Sequence, residues 1–258
     1  MKITATVQAR TGSTRLSAKV MRLICGKPML QLHLERIKCS RLIDEIIVAT
    51  TTNPSDEVIV NLAQKVGVGV YRGSEEDVLG RMVGLLKEHE VDLHVELIGD
   101  CPLIDPQIID EVIGFYLKNK NKFDFVTNGM NITYPNGMEV NVYPAQILLD
   151  AEKDVQVDDP LREHVDIHIT HNSKYRRCNL NAPDYYHNPN IYIEVDTAND
   201  FEVVSAIFEN FISLHPHFGL AQILDFLNKN PTLVKLNQRV IRRYTQFKKN
   251  YPGEVVYV

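Results

Sequence analysis

Arg10, Gly12, Arg15 and Lys19 follow directly on a short apolar run, residues 3–7, with Ser13 and Thr14 among them in "TVQARTGSTRLSAKV". Fixed cations around one glycine call for an anion. The glycine lets backbone N–H groups approach closely, the hydroxyls add donors, and the guanidinium and ammonium groups neutralise charge. A nucleoside triphosphate fits that description. A solvated basic turn is the bland alternative, because the stretch matches neither GxxxxGK[ST] nor GxGxxG.

Two carboxylates stand at comparable places further on. Asp100 in "IGDCPLID" follows the apolar run 93–98, and Asp196 in "IEVDTANDF" ends a second short apolar run. Carboxylates so placed could share Mg²⁺, which proteins hold through one or two carboxylates plus substrate phosphates. Helix capping competes as an explanation of Asp196, with Asp200 suited to the first turn of the helix that follows, and Asp105 before Pro106 reads as a cap. His164, His168 and His171 recur at about one helical turn, but without the glutamate of HExxH a polar surface face outranks a zinc site. Arg162 and Glu163 beside them could equally contact a ligand.

The elements that must position these groups alternate. Apolar, β-branched runs at 3–7, 45–49, 68–71, 93–98 and 123–126 predict buried strands, and helical periodicity lies between them, as in Met29, Leu30, Leu34 and Ile37. Such alternation predicts an α/β fold with a mostly parallel sheet covered on both faces, and ligands then bind outside the carboxyl ends of the strands. After residue 127, "NGMNITYPNGMEVNVYP" reads as turns and short strands, an insertion at 127–145 that could form a lid or a dimer contact. Strands are expected again at 176–180 and 191–195. One elaborated domain over residues 1–214 and a helical extension over 215–258 complete the expected organisation, with the basic run "KLNQRVIRRYTQFKK" as a solvated face or subunit contact.

Bulk composition excludes some classes. The 258 residues carry 28 Lys plus Arg against 33 Asp plus Glu, a net charge of −5, so no global cationic field suits non-specific nucleic-acid binding. The four cysteines form no CxxC pair and read as buried free thiols in a reducing compartment. No apolar run reaches membrane-spanning length and no signal peptide precedes the first strand, so a cytoplasmic location is expected.

In order along the chain, "TVQARTGSTRLSAKVM", "DEIIVATTTNPSDE", "VYRGSEEDVLGR", "GDCPLIDPQIIDEV", "YPNGMEVNVY", "DDPLREHV" and "IEVDTANDFEVV" closely resemble the cytidylyltransferases of the spore-coat polysaccharide biosynthesis type, relatives of the CMP-Kdo and CMP-sialic acid synthetases. The resemblance implies a Rossmann-like, three-layer nucleotidyltransferase fold, CTP as donor, an acidic sugar-like acceptor, Mg²⁺ on Asp100 and Asp196, and a homodimer. It implies a nucleotide site made of Ala9, Arg10, Gly12, Ser13, Arg15, Lys19, Thr51, Arg72 and Asp100. Arg10, Lys19, Asp100 and Asp196 are expected to carry the chemistry, and Glu139, Asn141, Arg162, Glu163 and His164 to meet the acceptor. The family usually reads RLPGK where this chain has Arg15-Leu16-Ser17-Ala18-Lys19, so its Pro-Gly pair is absent. A nucleotide-sugar-dependent glycosyltransferase and a non-catalytic nucleotide-binding subunit are the alternative readings; the first is disfavoured by the lack of a DxD pair after a central strand.

Overall fold

A computed structural model of the chain describes residues 1–242 and 254–258. Ten strands are found among these residues: β1 (Ile3–Gln8), β2 (Leu23–Ile24), β3 (Lys27–Pro28), β4 (Glu45–Thr51), β5 (Gly69–Gly73), β6 (Leu93–Ile98), β7 (Phe125–Thr127), β8 (Asn141–Pro144), β9 (Arg177–Asn179) and β10 (Val255–Tyr257). β2 and β3 form a small hairpin, and the others make one eight-stranded sheet in the order β10-β9-β7-β8-β6-β1-β4-β5. All its pairings are parallel except those of β8 with β6 and β7. Helices α1 (Met29–Ile37), α2 (Glu57–Val66), α4 (Pro106–Asn119), α7 (Ala198–Phe211) and α8 (Leu220–Lys229) pack on one face. α3 (Val78–Glu88), α5 (Ala145–Lys153) and α6 (Ile167–Thr170) cover the other, and α9 (Pro231–Asn237) lies against α7 and α8.

The α/β alternation goes with burial on both faces: β1 and β6 are buried nearly throughout, with Ile3, Ala5, Val7, Leu93, Val95 and Leu97 in one core and the polar Thr4, Thr6, His94 and Glu96 buried between them in sequence. Local chemistry sets the helix ends. Gly67, at φ 72°, closes α2 in the left-handed conformation, and Asp105 caps α4 through the Gln107 amide. The strands run outward from β1 to β4 and β5 and then return to β6 on β1's other side, so the chain reverses its winding between β1 and β6. In open α/β sheets the ligand crevice lies outside such a point. Gly99 is required there: a Cβ would stand 2.3 Å from the Gln8 carbonyl oxygen, to which its own N–H donates.

Five expectations change. Residues 127–145 are not a lid. Met138, Val140 and Val142 are fully buried, and β8 runs between β6 and β7 as the sheet's antiparallel member. Residues 191–195 are not a strand of the sheet: they form only an isolated bridge, Tyr192 to Asn136, whose partner lies outside the named strands. The three histidines do not share a helix: His164 ends a helical turn (Pro160–Glu163) in extended backbone, before α6 begins. Residues 215–258 are not helical throughout, since β10 adds an edge strand beside β9, and the basic run beyond Arg242 lies outside the described residues. Cys25, expected buried, is exposed. Among the described residues no helix is long and apolar enough to cross a membrane.

Candidate active site

The loop after β1 and the loop after β6 meet over the crevice. Lys19, in the helical turn Lys19–Met21, donates from Nζ to Asp100 Oδ2 at 2.9 Å, Asp196 Oδ1 at 3.1 Å and the Val195 carbonyl at 2.6 Å. Arg15 Nη2 reaches the other Asp196 oxygen at 2.6 Å. Burial disfavours the Lys19 charge, but Asp100 and Asp196 outweigh it and hold the ammonium above its ordinary pKa. The two carboxylates are also tied through backbone, since the Val195 amide donates to the Asp100 carbonyl at 2.8 Å. Asp196 is not itself the helix cap. Thr197 and Asp200 form the capping box of α7, so the Asp196 carboxylate points elsewhere.

The rest of the loop is held from β4. Asp56 accepts from the Thr11 amide at 2.8 Å and the Thr11 hydroxyl at 2.6 Å, and from the Thr51 hydroxyl at 2.5 Å. Burial opposes its charge, yet these donors keep the Asp56 carboxyl below the usual range. Nothing in "TTNPSDE" singles Asp56 out, because Thr11, which gives it two of its three bonds, lies 45 residues away in the loop after β1. Thr51 therefore anchors the loop rather than facing a base. Arg72 is committed too, donating to the Thr51 and Asn53 carbonyls at 2.9 Å and pairing with Glu57 at 2.6 Å. Arg10 is more open, with Nη1 3.9 Å from Glu75, and Gly12 lies against the same carboxylate. Ala9 is buried with its amide on the Ala49 carbonyl, and the Ser13 amide turns back to Thr11.

Beside Asp100 and Asp196 lie Glu139 and Glu194. Glu139 Oε2 accepts from the Gly137 amide at 2.7 Å. Burial, with Glu139 and Asp100 nearby, pushes the Glu194 carboxyl well above its ordinary value, against the pull of Arg242. Glu194 shares a side with Asp196 by its spacing of two, a signal the sequence did contain.

The expected acceptor residues divide. Arg162 is not free for a ligand: it is 7% exposed, its fork grips both Asp77 oxygens at 2.9 Å, and Glu152 adds a contact at 3.3 Å. Asn141 is half-buried and engaged as well, accepting from Thr127 Oγ1 at 2.7 Å and bonding to Glu96. Glu96 takes further donors from Gln8 at 3.1 Å and Tyr143 at 2.9 Å; burial first, then Asp166, pushes its carboxyl up to about 8. Glu163 is exposed and His164 half-buried.

Comparison with known proteins adds independent findings. A family model described as Cytidylyltransferase matches residues 4–216. An uncharacterized protein of Methanocaldococcus jannaschii is 37% identical over 246 residues, 93% of this chain and 96% of that protein. The spore coat polysaccharide biosynthesis protein SpsF of Bacillus subtilis is 29% identical over 230 residues, 87% of this chain and 93% of its own length. A solved cytidylyltransferase from Leptospira borgpetersenii serovar Hardjo-bovis matches with a TM-score of 0.85 at 30% identity, over 94% of this chain and 100% of that one.

Proposed function

Because the chain belongs to the cytidylyltransferase family, we propose that it transfers CMP from CTP to an acidic sugar-like acceptor in surface-polysaccharide biosynthesis, with Mg²⁺ as cofactor. The observation that carries this reading is the convergence of Lys19 Nζ on Asp100 and Asp196, with Arg15 on the second carboxylate, at the point where the sheet reverses its winding. Carboxylates that both reach one ammonium nitrogen present oxygens to one cation-sized point, so the pair fits a divalent metal. Among the described residues no group of three or more His, Cys, Asp or Glu side chains offers a full set of ligands. Two carboxylates are a set that Mg²⁺ accepts, its remaining positions going to water and substrate phosphate. Bound by Asp100 and Asp196, the ion would supply neutralisation of charge on the transferred phosphate.

The chain's own groups do the rest. An acceptor oxygen attacks the α-phosphorus, the bond from that phosphorus to the β-phosphate's bridging oxygen breaks, and pyrophosphate leaves with the electron pair. Transfers of this kind are accelerated chiefly by positioning and by fixed positive charge. Lys19 and Arg15, released from the carboxylates, hold the β- and γ-phosphates together with Arg10. Backbone N–H groups around Gly12 orient the chain of phosphates, and Asp56 keeps that loop in place through Thr11. Glu139, beside the carboxylate pair, is the acceptor candidate we retain, with Glu163 and His164 further out.

Pyrophosphate release, measured with each of the four nucleoside triphosphates and a panel of acidic sugars, tests the proposal. CTP with at least one acidic acceptor should give turnover that EDTA abolishes. No CTP-dependent release, or transfer from a nucleotide sugar instead, overturns it. A cytoplasmic homodimer belongs to the same proposal, and sedimentation of the purified chain reads the dimer.

A further inference from the structure

We infer that Arg242 and Asn237, beyond the stretch that the family model matches, form a brace that positions Asp196 through Asp200. The inference rests on the metal-site reading above. Asp200 is fully buried at the start of α7. Its Oδ2 accepts from the Asp196 amide at 3.2 Å, the Thr197 amide at 2.7 Å and the Thr197 hydroxyl at 2.7 Å. A capping box needs no more than that oxygen. The second oxygen is taken by the far end of the chain: Asn237 Nδ2 donates to Asp200 Oδ1 at 2.9 Å and Arg242 Nη2 at 2.6 Å.

The same two side chains hold the segment that leads into Asp196. Asn237 Nδ2 also donates to the Tyr192 carbonyl at 3.0 Å. Arg242 Nη1 lies 3.3 Å from Glu194, and its guanidinium stacks over the Tyr192 ring at 4.5 Å. Residues 192, 194 and 200 are thus gripped on both sides of Asp196. A guanidinium that is 5% exposed must be paired to be tolerated, and here it pairs with the Asp200 carboxylate and lies against Glu194, the acidic groups on either side of the proposed metal ligand. On the opposite side Arg15 Nη1 reaches the Ile241 carbonyl at 3.5 Å while its Nη2 stays on Asp196. Residues 237–242 therefore touch both halves of the site, the phosphate loop and the carboxylate pair. Arg242 touches neither nucleotide nor metal in this reading; it is a positioning residue that acts on a ligand's backbone.

The test compares Arg242→Met, Arg242→Lys, Asn237→Ala and, as a control on a buried residue remote from Asp200, Leu227→Ala. Full-length proteins are followed by hydrogen exchange at the Asp196 and Thr197 amides, by Mn²⁺ binding in the presence of CTP, and by CTP turnover against Mg²⁺ concentration well below the melting midpoint. Arg242→Met should speed exchange at both amides and weaken metal binding about tenfold, the effect expected when a metal ligand loses its outer support. Arg242→Lys should fall between it and the wild type, and Leu227→Ala should lower the midpoint without moving the metal dependence. Should Arg242→Met fail to fold, Asn237→Ala, which deletes one donor, should show the same effects in smaller degree. Wild-type metal dependence in a folded variant whose exchange has risen would overturn the brace alone. A wild-type chain that binds no Mn²⁺ with CTP would overturn the underlying reading, while the exchange data would still report what Arg242 holds.

Discussion

Two arginine–aspartate pairs lie in loops after the strands, and they differ in how far their partners are committed. Arg15 meets Asp196 through one nitrogen at 2.6 Å, its side chain is 26% exposed, and the same carboxylate also accepts from Lys19. Arg162 meets Asp77 through two nitrogens at 2.9 Å, is 7% exposed, and has Glu152 as a further partner. Asp77 is moreover the cap of α3, accepting from the Gly80 amide at 2.8 Å. The first pair is built from groups that can exchange partners when an anion or a cation arrives. The second is a closed structural clamp between residues 159–163 and α3.

Substitution should separate the two most sharply at the carboxylates. Asp100→Asn should reduce kcat/KM by at least about a hundredfold, the scale on which removal of one charge-stabilising group acts, while the melting midpoint stays near that of the wild type. Arg15→Met should behave likewise, with its loss appearing mainly in CTP binding. Full activity of Asp100→Asn at millimolar Mg²⁺ would dissolve the distinction.

Arg162→Met should do the reverse. It strands Asp77 and Glu152, but Asp77 is 37% exposed and can take up water, so a loss of about 2 kcal/mol is expected rather than the full cost of an orphaned buried charge. For a chain of this size that corresponds to a midpoint lower by roughly 4–8 °C. At temperatures well below the midpoint, kcat/KM should stay within about threefold. A collapse of activity without loss of stability would return Arg162 to the acceptor site.

A smaller effect is expected on β6, at Glu96. Its carboxyl, raised from the ordinary 4.5 to about 8 by burial and by Asp166, keeps its proton in the folded state where the unfolded chain has lost it. The folded protein thus binds more protons than the unfolded one across that window, and stability falls as pH rises through it. Glu194 contributes in the same direction. Glu96→Gln removes one such group, so urea midpoints should move in the variant's favour between pH 5 and pH 8. An unchanged difference across the two pH values would mean that Glu96 is ionised in the fold.

What the sequence made legible was whatever depends on near neighbours. β6 was expected at residues 93–98 and spans Leu93–Ile98, since Leu93, Val95 and Leu97 recur at the strand period of two and are buried together. The cap at Asp105 was visible because its partner lies two residues on, whereas at the start of α7 the cap is Thr197, one residue beyond the expected Asp196. The strand-end carboxylates followed from the general placement of α/β crevices. Partnerships across the fold were not legible. Arg162 finds Asp77 at a separation of 85 residues and Arg242 finds Asp200 at 42, and no local pattern tells a cation awaiting a ligand from one already paired. The alternation of Met138, Val140 and Val142 did signal a buried strand, but the turn residues before it suggested a lid.

The smallest expected effect concerns the bend inside the loop after β1. Where the family usually has Pro-Gly, this chain has Ser17-Ala18, and Ala18 nonetheless adopts the left-handed conformation, φ 48° and ψ 33°. Its amide donates to Thr11 at 3.1 Å and its carbonyl accepts from Met21 at 2.9 Å, so hydrogen bonds impose a glycine's geometry on an alanine. An L-residue there costs roughly 1–2 kcal/mol. Ala18→Gly should recover part of it, since glycine also gains about 0.4–1 kcal/mol of disorder in the unfolded chain. The net expectation is a gain below about 1 kcal/mol, a midpoint higher by roughly 1–3 °C. Because the backbone bonds already fix where Lys19 begins, turnover should stay within about twofold of wild type. Ala18→Val, which puts a branched Cβ at positive φ, should lower the midpoint instead. If Ala18→Gly changed turnover tenfold while leaving the midpoint alone, the reach of Lys19 would depend on stiffness at residue 18 rather than on the bonds to Thr11 and Met21.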